Sequence, residues 1–236
     1  MHLVSSQMSI PVPKARRCVF WRENLCILMD YVEGRDLHEV WPSLGMWGWF
    51  NLAWVLRGYI RQLRKVKPPH QDIPGPVNAL GPTPLKCKGN YFPDVSAGPF
   101  ISYTALSAWF NGRRRLTNLI HKSHMADPST YKEPSQVYFN DSLPLVLTLT
   151  HRDISVYDVR LGTDGKGWLL DWDRAGIYPQ WFDYAPIMAY KHINIMKNPC
   201  RVGSYGLHLW LQVGTSLSFM HRYAPGIQHY GFEGFG

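Results

Sequence analysis

Cysteine is scarce in this chain of 236 residues: four in all, at positions 18, 26, 87 and 200, with no C-x-x-C pair among them. That spacing excludes a zinc knuckle and a disulfide framework, and it suits a reduced compartment. Long apolar runs are also missing. The richest stretch, residues 46–56, is cut by Gly48 and Asn51 and falls well short of the roughly 20 residues a membrane span needs. The opening MHLVSSQMSIPVPKARR lacks the apolar core of a secretory signal, so a soluble cytoplasmic protein is expected. Charge is thin, at 18% of residues, and acidic residues are the scarcer sign, 17 against 25 basic, which leaves a net +8. An excess of that size suits an anionic ligand such as nucleic acid, a membrane surface or a nucleotide phosphate, without choosing among them. No internal repeat is present. What the chain does have is apolar mass: 45% hydrophobic residues, with ten Trp, thirteen Tyr and ten Phe. That is enough to build a core for one or two domains and to exclude general disorder.

Residues 18–31 read CVFWRENLCILMDY, two apolar runs around a polar turn, as in a hairpin of two short strands. Over residues 46–66 the apolar positions Trp49, Leu52, Ala53, Leu56, Tyr59, Ile60, Leu63 and Val66 recur every three or four, which predicts a core helix. Eight prolines between 67 and 99 deny both helix and strand, so this segment is expected to be a long surface insertion. A second helix is predicted from an N-cap at Ser102, carrying Leu106, Trp109, Phe110, Leu116, Leu119 and Ile120. Its Arg113-Arg114-Arg115 run reads as a solvated face, and a nucleic-acid role rests on such charge alone. Beyond it, a β-rich run at 143–150 precedes two short strands, 159–161 and 168–170, joined through Asp164-Gly165, a strong hairpin signal. Apolar helical stretches then run to about residue 223, followed by a Gly-rich tail.

Chemistry concentrates in HRDISVYD at 151–158 and LDWD at 170–173. Pairing of the two short strands puts Asp158 just before the first and Asp171 just after the second, at the same end of the hairpin. Two carboxylates brought together there repel unless a cation lies between them, and such hard oxygen donors suit Mg²⁺. Asp153, in the same loop, is placed to accept a proton from a hydroxyl brought to that site. This is the division of labour that phosphoryl transfer requires. His151, at the head of the loop, is expected to hydrogen-bond backbone and to do no chemistry.

The stretch THRDISVYDVRLGTDGKGWLLDWDRAGIYPQWFDYAPIMAY resembles the catalytic core of the fungal aminoglycoside phosphotransferase-like, or choline kinase-like, family. That core runs T-H-x-D-L-x-x-x-N-I, a hairpin, then I-D-W-x-x-A-G-x-Y-P-x-W-x-E/D-Y. Upstream, SIPVPKARRCVFWRENLCILMDYVEGRDLHEVWPSL and SAGPFISYTALSAWFNGR resemble other segments of the family, so the likeness is collinear over about residues 9 to 190. It implies an α+β, protein-kinase-like fold: a remnant N-lobe hairpin with its hinge (1–32), then a mainly helical C-lobe (33–236) holding the catalytic loop 151–158 and a metal-site hairpin 159–173. It makes Asp153 the catalytic base and Asp158 and Asp171 the metal ligands, with Asp158 standing where the family has Asn. Arg152 replaces a small glycine. Met29, Asp30 and Val32 take the hinge positions that meet the adenine of ATP, and ATP and Mg²⁺ are the implied cofactors. Only ten residues precede Pro11, where the family has a Gly-rich loop and an ATP-binding Lys, so an N-terminally truncated chain with impaired turnover is expected.

Two readings of function follow. One is an ATP- and Mg²⁺-dependent phosphotransferase acting on a small-molecule hydroxyl. The other is a non-catalytic, pseudokinase-like protein that binds nucleotide weakly or offers a surface to a partner. Phe20, Trp21, Leu25 and Ile27 on the remnant hairpin must be covered or stay exposed, and exposure there invites self-association.

Overall fold

The computed structural model describes residues 1–22, 24–78, 80–89, 92, 96–131 and 146–183. The helical stretches expected after residue 183, and Cys200, lie outside the described residues. A short helix α1 (His2–Gln7) leads into the antiparallel ribbon of β1 (Ala15–Trp21) and β2 (Asn24–Met29), then β3 (Gly34–Asp36) and the single turn α2 (Leu37–Val40). Two long helices follow, α3 (Met46–Leu63) and α4 (Tyr103–Ser123), and then β4 (Leu147–Thr150), β5 (Val159–Gly162), β6 (Gly167–Leu169) and β7 (Gly176–Pro179). The strands form three small sheets: β1–β2, β3–β5–β6 and β4–β7, each antiparallel throughout.

Helix α3 forms where its periodicity predicts it. Leu52, Ala53, Leu56, Tyr59, Ile60 and Leu63 are buried along one side, and Val66 continues the row just past the helix end. Onto this face pack Val4, Ile10 and Val12 from the first residues, Leu37, Val40 and Trp41 around α2, and Leu149, Ile154, Val156, Val159 and Leu169 from the strands and loop that carry the acidic residues. Gln7 pins the N-terminal segment by exchanging hydrogen bonds with the backbone of Lys67. The main core is thus also the floor of the acidic hairpin.

The segment 67–99 departs from the surface insertion that its prolines predict. Cys87, Phe92 and Ala97 are buried, and with Phe100, Leu106, Phe110, Tyr178 and Phe182 they form a second, mostly aromatic core. Prolines remove backbone donors but leave side chains free to pack, so a loop without regular structure can still fill a core. Helix α4 starts as expected, with the Ser102 hydroxyl accepting the Ala105 N–H at 3.2 Å. Its second half differs: Leu116, Leu119 and Ile120 are exposed, while Arg114, the middle of the three arginines, is buried.

Two glycines are dictated by geometry. Gly34 (φ 150°) lets β3 close on β5, since a Cβ there would stand 2.0 Å from the Leu161 carbonyl oxygen. Gly165 (φ 75°) makes the left-handed turn between β5 and β6.

Candidate active site

The mouth of the β5–β6 hairpin is built by backbone bonds. The Leu170 N–H donates to the Asp158 carbonyl at 2.8 Å, which holds the residues before β5 and after β6 side by side. Asp171 then turns through φ 54°, a left-handed conformation that Asp tolerates better than most residues. Asp153, Asp158 and Asp171 meet here, each offering a carboxylate oxygen within 4.8 Å of the others. The structure therefore brings together all three acidic residues that the sequence singled out. Among the described residues, no other group of three or more His, Cys, Asp or Glu could hold a metal ion.

The three carboxylates differ in environment. Asp158 is buried, and its side chain accepts a hydrogen bond from the Ser155 hydroxyl. Burial first, and the Asp153 and Asp171 charges after it, push its pKa up to about 7. Asp171 is exposed. Asp153 lies between these extremes and pairs with Arg174, whose Nη1 sits 2.9 Å from its carboxylate. A cluster that leaves one carboxyl half-protonated at neutral pH is short of positive charge. This donor set of hard oxygens fits a divalent cation such as Mg²⁺.

The loop carrying Asp153 is held from below. The Asp183 carboxylate is fully buried, and its Oδ1 accepts the backbone N–H groups of both His151 and Arg152, at 3.0 and 3.2 Å. Burial raises its pKa to about 6 against the lowering effect of those two bonds. His151 is buried edge-on to Trp172, its Nε2 lies 2.9 Å from the Leu170 carbonyl, and burial pulls its pKa down to about 4. It is a neutral strut between loop and hairpin, as its position predicted. Arg152 stands at φ 71° with its guanidinium buried against the rings of Tyr178, Phe92 and Phe182, the nearest centroid 4.4 Å away. It donates to the carbonyls of Lys88 and Arg174. The Arg152 side chain thus ties segment 67–99 to the acidic loop.

The three expected hinge residues differ in placement. Val32 is buried, and Met29 is exposed at the end of β2. Asp30 spends its N–H on the Lys14 carbonyl and its carboxylate on Arg16, 3.0 Å from Nη2, so neither group faces a ligand. The next residues run into β3, where Asp36 lies opposite Arg160 of β5, two residues beyond Asp158. Arg160 pairs with Asp36 at 3.4 Å and covers the Tyr31 ring at 5.2 Å, fastening the hinge segment to the hairpin.

Sequence reasoning did not single out Arg174, Asp183 or Ser155. Ser155 lies three residues before Asp158, the spacing of a side-chain-bonded turn, and was the most legible of the three. Asp183 and Arg174 act through contacts that only the tertiary fold creates. A groove of about 330 Å³ lined by Leu52, Val55, Tyr59, Leu161 and Lys166 contains none of the three site carboxylates. No helix among the described residues is long and apolar enough to cross a membrane.

No protein-family model and no curated protein matches the chain. Among solved structures it is similar to aminoglycoside phosphotransferase APH(4)-Ia, at 10% identity and a TM-score of 0.56, over 97% of this chain and 69% of that one. The apo form of a thermostable mutant of APH(4)-Ia gives the same values. The ternary complex of a thermostable APH(4)-Ia mutant with AMP-PNP and hygromycin B scores 0.46, at 12% identity over 99% and 80% of the two chains. The fold is α+β and protein-kinase-like.

Proposed function

We propose that the chain is an aminoglycoside phosphotransferase-like protein, of the fungal or choline kinase-like kind its motifs resemble, which transfers the γ-phosphoryl group of ATP to a small-molecule hydroxyl. The observation that carries this reading is the convergence of Asp153, Asp158 and Asp171 at one hairpin mouth of a kinase-like fold. Asp158 and Asp171 would hold Mg²⁺, which supplies charge neutralisation on the phosphates. Asp153 orients the acceptor hydroxyl and takes its proton. The Arg174 guanidinium keeps that carboxylate in place until an acceptor competes for it. Asp183 and His151 fix the loop from beneath. At the hinge the base meets the Asp30 carbonyl and Val32, since the Asp30 N–H is already bonded to Lys14. Residues 1–32 belong to the nucleotide-facing lobe in this reading and the rest to the acceptor-facing one.

The test is transfer of labelled γ-phosphate from Mg·ATP across a panel of hydroxyl acceptors, aminoglycosides and choline among them. Transfer is expected to be slow, and Asp153→Ala should reduce it at least a hundredfold. Transfer that survives Asp153→Ala unchanged rules the assignment out. The pairing of Asp153 with Arg174 favours a second reading, a pseudokinase-like nucleotide binder. That reading expects Mg·ATP binding with no transfer to any acceptor.

A further inference from the structure

The β1–β2 ribbon has apolar side chains on both faces and little covering them. Phe20 is 82% exposed, Trp21 65% and Leu28 61%, and Val19, Ile27 and Met29 each stand at about 40%. Among the described residues the sheet has two strands and hence two open edges. These edges are not alike. The β1 edge carries Arg16 and Arg17 and is broken by a register shift between Ala15 and Arg17, the charge and bulge that discourage pairing with another chain. The β2 edge, Asn24-Leu25-Cys26-Ile27-Leu28-Met29, has no charge, no proline and no bulge. Counted from the closing Trp21–Asn24 pair, the alternation of an antiparallel ribbon turns the N–H and C=O of Leu25, Ile27 and Met29 toward that open edge.

We propose that this edge is a self-association surface, on which β2 pairs antiparallel with β2 of a second copy about a two-fold axis at Ile27. In that register Ile27 faces Ile27, Cys26 faces Leu28 and Leu25 faces Met29, and no like charges are opposed. It is the two-fold register that uses the whole strand, since Asn24 then reaches Asp30. Two ribbons joined in this way make a four-stranded sheet, past the size at which a small sheet holds together, whereas one ribbon alone is marginal. The pairing brings the β2 side chains Cys26, Ile27, Leu28 and Met29 beside their counterparts, while Val19, Phe20 and Trp21 stay on the outer strands of the joined sheet. A second copy also satisfies both sides equally, as isologous contacts do. The inference is independent of the phosphotransfer reading.

The surface makes a sharp prediction for thiol chemistry. Across the dyad the two Cys26 residues are diagonal neighbours, roughly 7–8 Å apart. The two Cys18 residues lie on the outer strands, three strand spacings or about 14 Å apart. Sedimentation velocity of the full chain between about 1 and 100 µM should give a monomer–dimer equilibrium. It should tighten as salt is added, because each copy carries +8. Ile27→Lys sets two like charges face to face and should weaken the dimer at least tenfold, with unchanged circular dichroism. In a Cys200→Ser background, a bis-thiol reagent spanning about 8 Å should link copies through Cys26. The link should persist in Cys18→Ser and vanish in Cys26→Ser. A chain that stays monomeric at 100 µM, a dimer indifferent to Ile27→Lys, or a link through Cys18 instead of Cys26 each overturns the proposal.

Discussion

The β1–β2 and β5–β6 hairpins begin from similar sequence, two short apolar runs around a polar turn, and end in opposite states. The first has every β1 residue exposed. The second is held on all sides: β3 extends it into a three-stranded sheet, the Leu169 N–H donates to the Pro11 carbonyl, and Val159 and Leu169 are fully buried on α3 and its neighbours. A strand pattern tells which residues can pair, while burial depends on what the rest of the chain brings to either face. The three converging carboxylates sit at the mouth of the anchored hairpin, where side chains can be positioned against their own repulsion. The free hairpin leaves its apolar side chains exposed, and it is there that we propose self-association.

The widest gap between the two should appear in stability. Leu169→Ala removes a fully buried side chain from β6 and should cost about 2–5 kcal/mol in chemical denaturation. Phe20→Ala, on the exposed ribbon, should change monomer stability by less than about 0.5 kcal/mol. Equal costs would erase the distinction. Next in size is Asp183→Ala, which strands the buried N–H groups of His151 and Arg152 and should cost about 2–4 kcal/mol.

A third expectation concerns pH. The Asp158 carboxyl titrates near 3.8 unfolded and near 7 folded, so in metal-free buffer the unfolded chain loses its proton first. Stability therefore falls as pH rises from about 4 to 7, by something on the order of 3 kcal/mol. Asp158→Asn should remove that slope in urea titrations at several pH values. His151 acts oppositely: its folded pKa lies below its unfolded one, so its contribution is lost as pH falls from about 6.5 to 4. In the Asp158→Asn variant the His151 slope remains, opposed between about pH 4 and 6 by that of buried Asp183, whose folded pKa is raised to about 6. The smallest effect is at the turn, where Gly165→Ala meets no neighbouring atom and should cost only about 1 kcal/mol for its left-handed backbone.

Much of this was legible in the sequence. Period-3.6 spacing located α3, and Asp164-Gly165 located the hairpin whose ends gather Asp158 and Asp171, because local pattern and tertiary placement agree there. The hinge expected at Met29, Asp30 and Val32 came from the motif resemblance, and the Arg16–Asp30 pair and the Lys14 bond that occupy Asp30 depend on strand register, which no local pattern spells. Segment 67–99 misled because prolines report on backbone bonding and are silent on whether Cys87 and Phe92 pack. Arg114 looked solvated within a charged run, yet its place on α4 buries it. Arg174 and Asp183 are spelled by residues ordinary in any loop, and only the fold brings them to Asp153 and its backbone.

We propose that the anchored hairpin mouth binds nucleotide through a divalent cation. Calorimetric titration of the full chain with ATP, in Mg²⁺ and in EDTA, for the natural sequence and for Asp171→Ala, tests it most directly. Saturable binding that requires Mg²⁺ and weakens at least tenfold in Asp171→Ala is expected. ATP affinity that is the same in EDTA, or unmoved by Asp171→Ala, would contradict it.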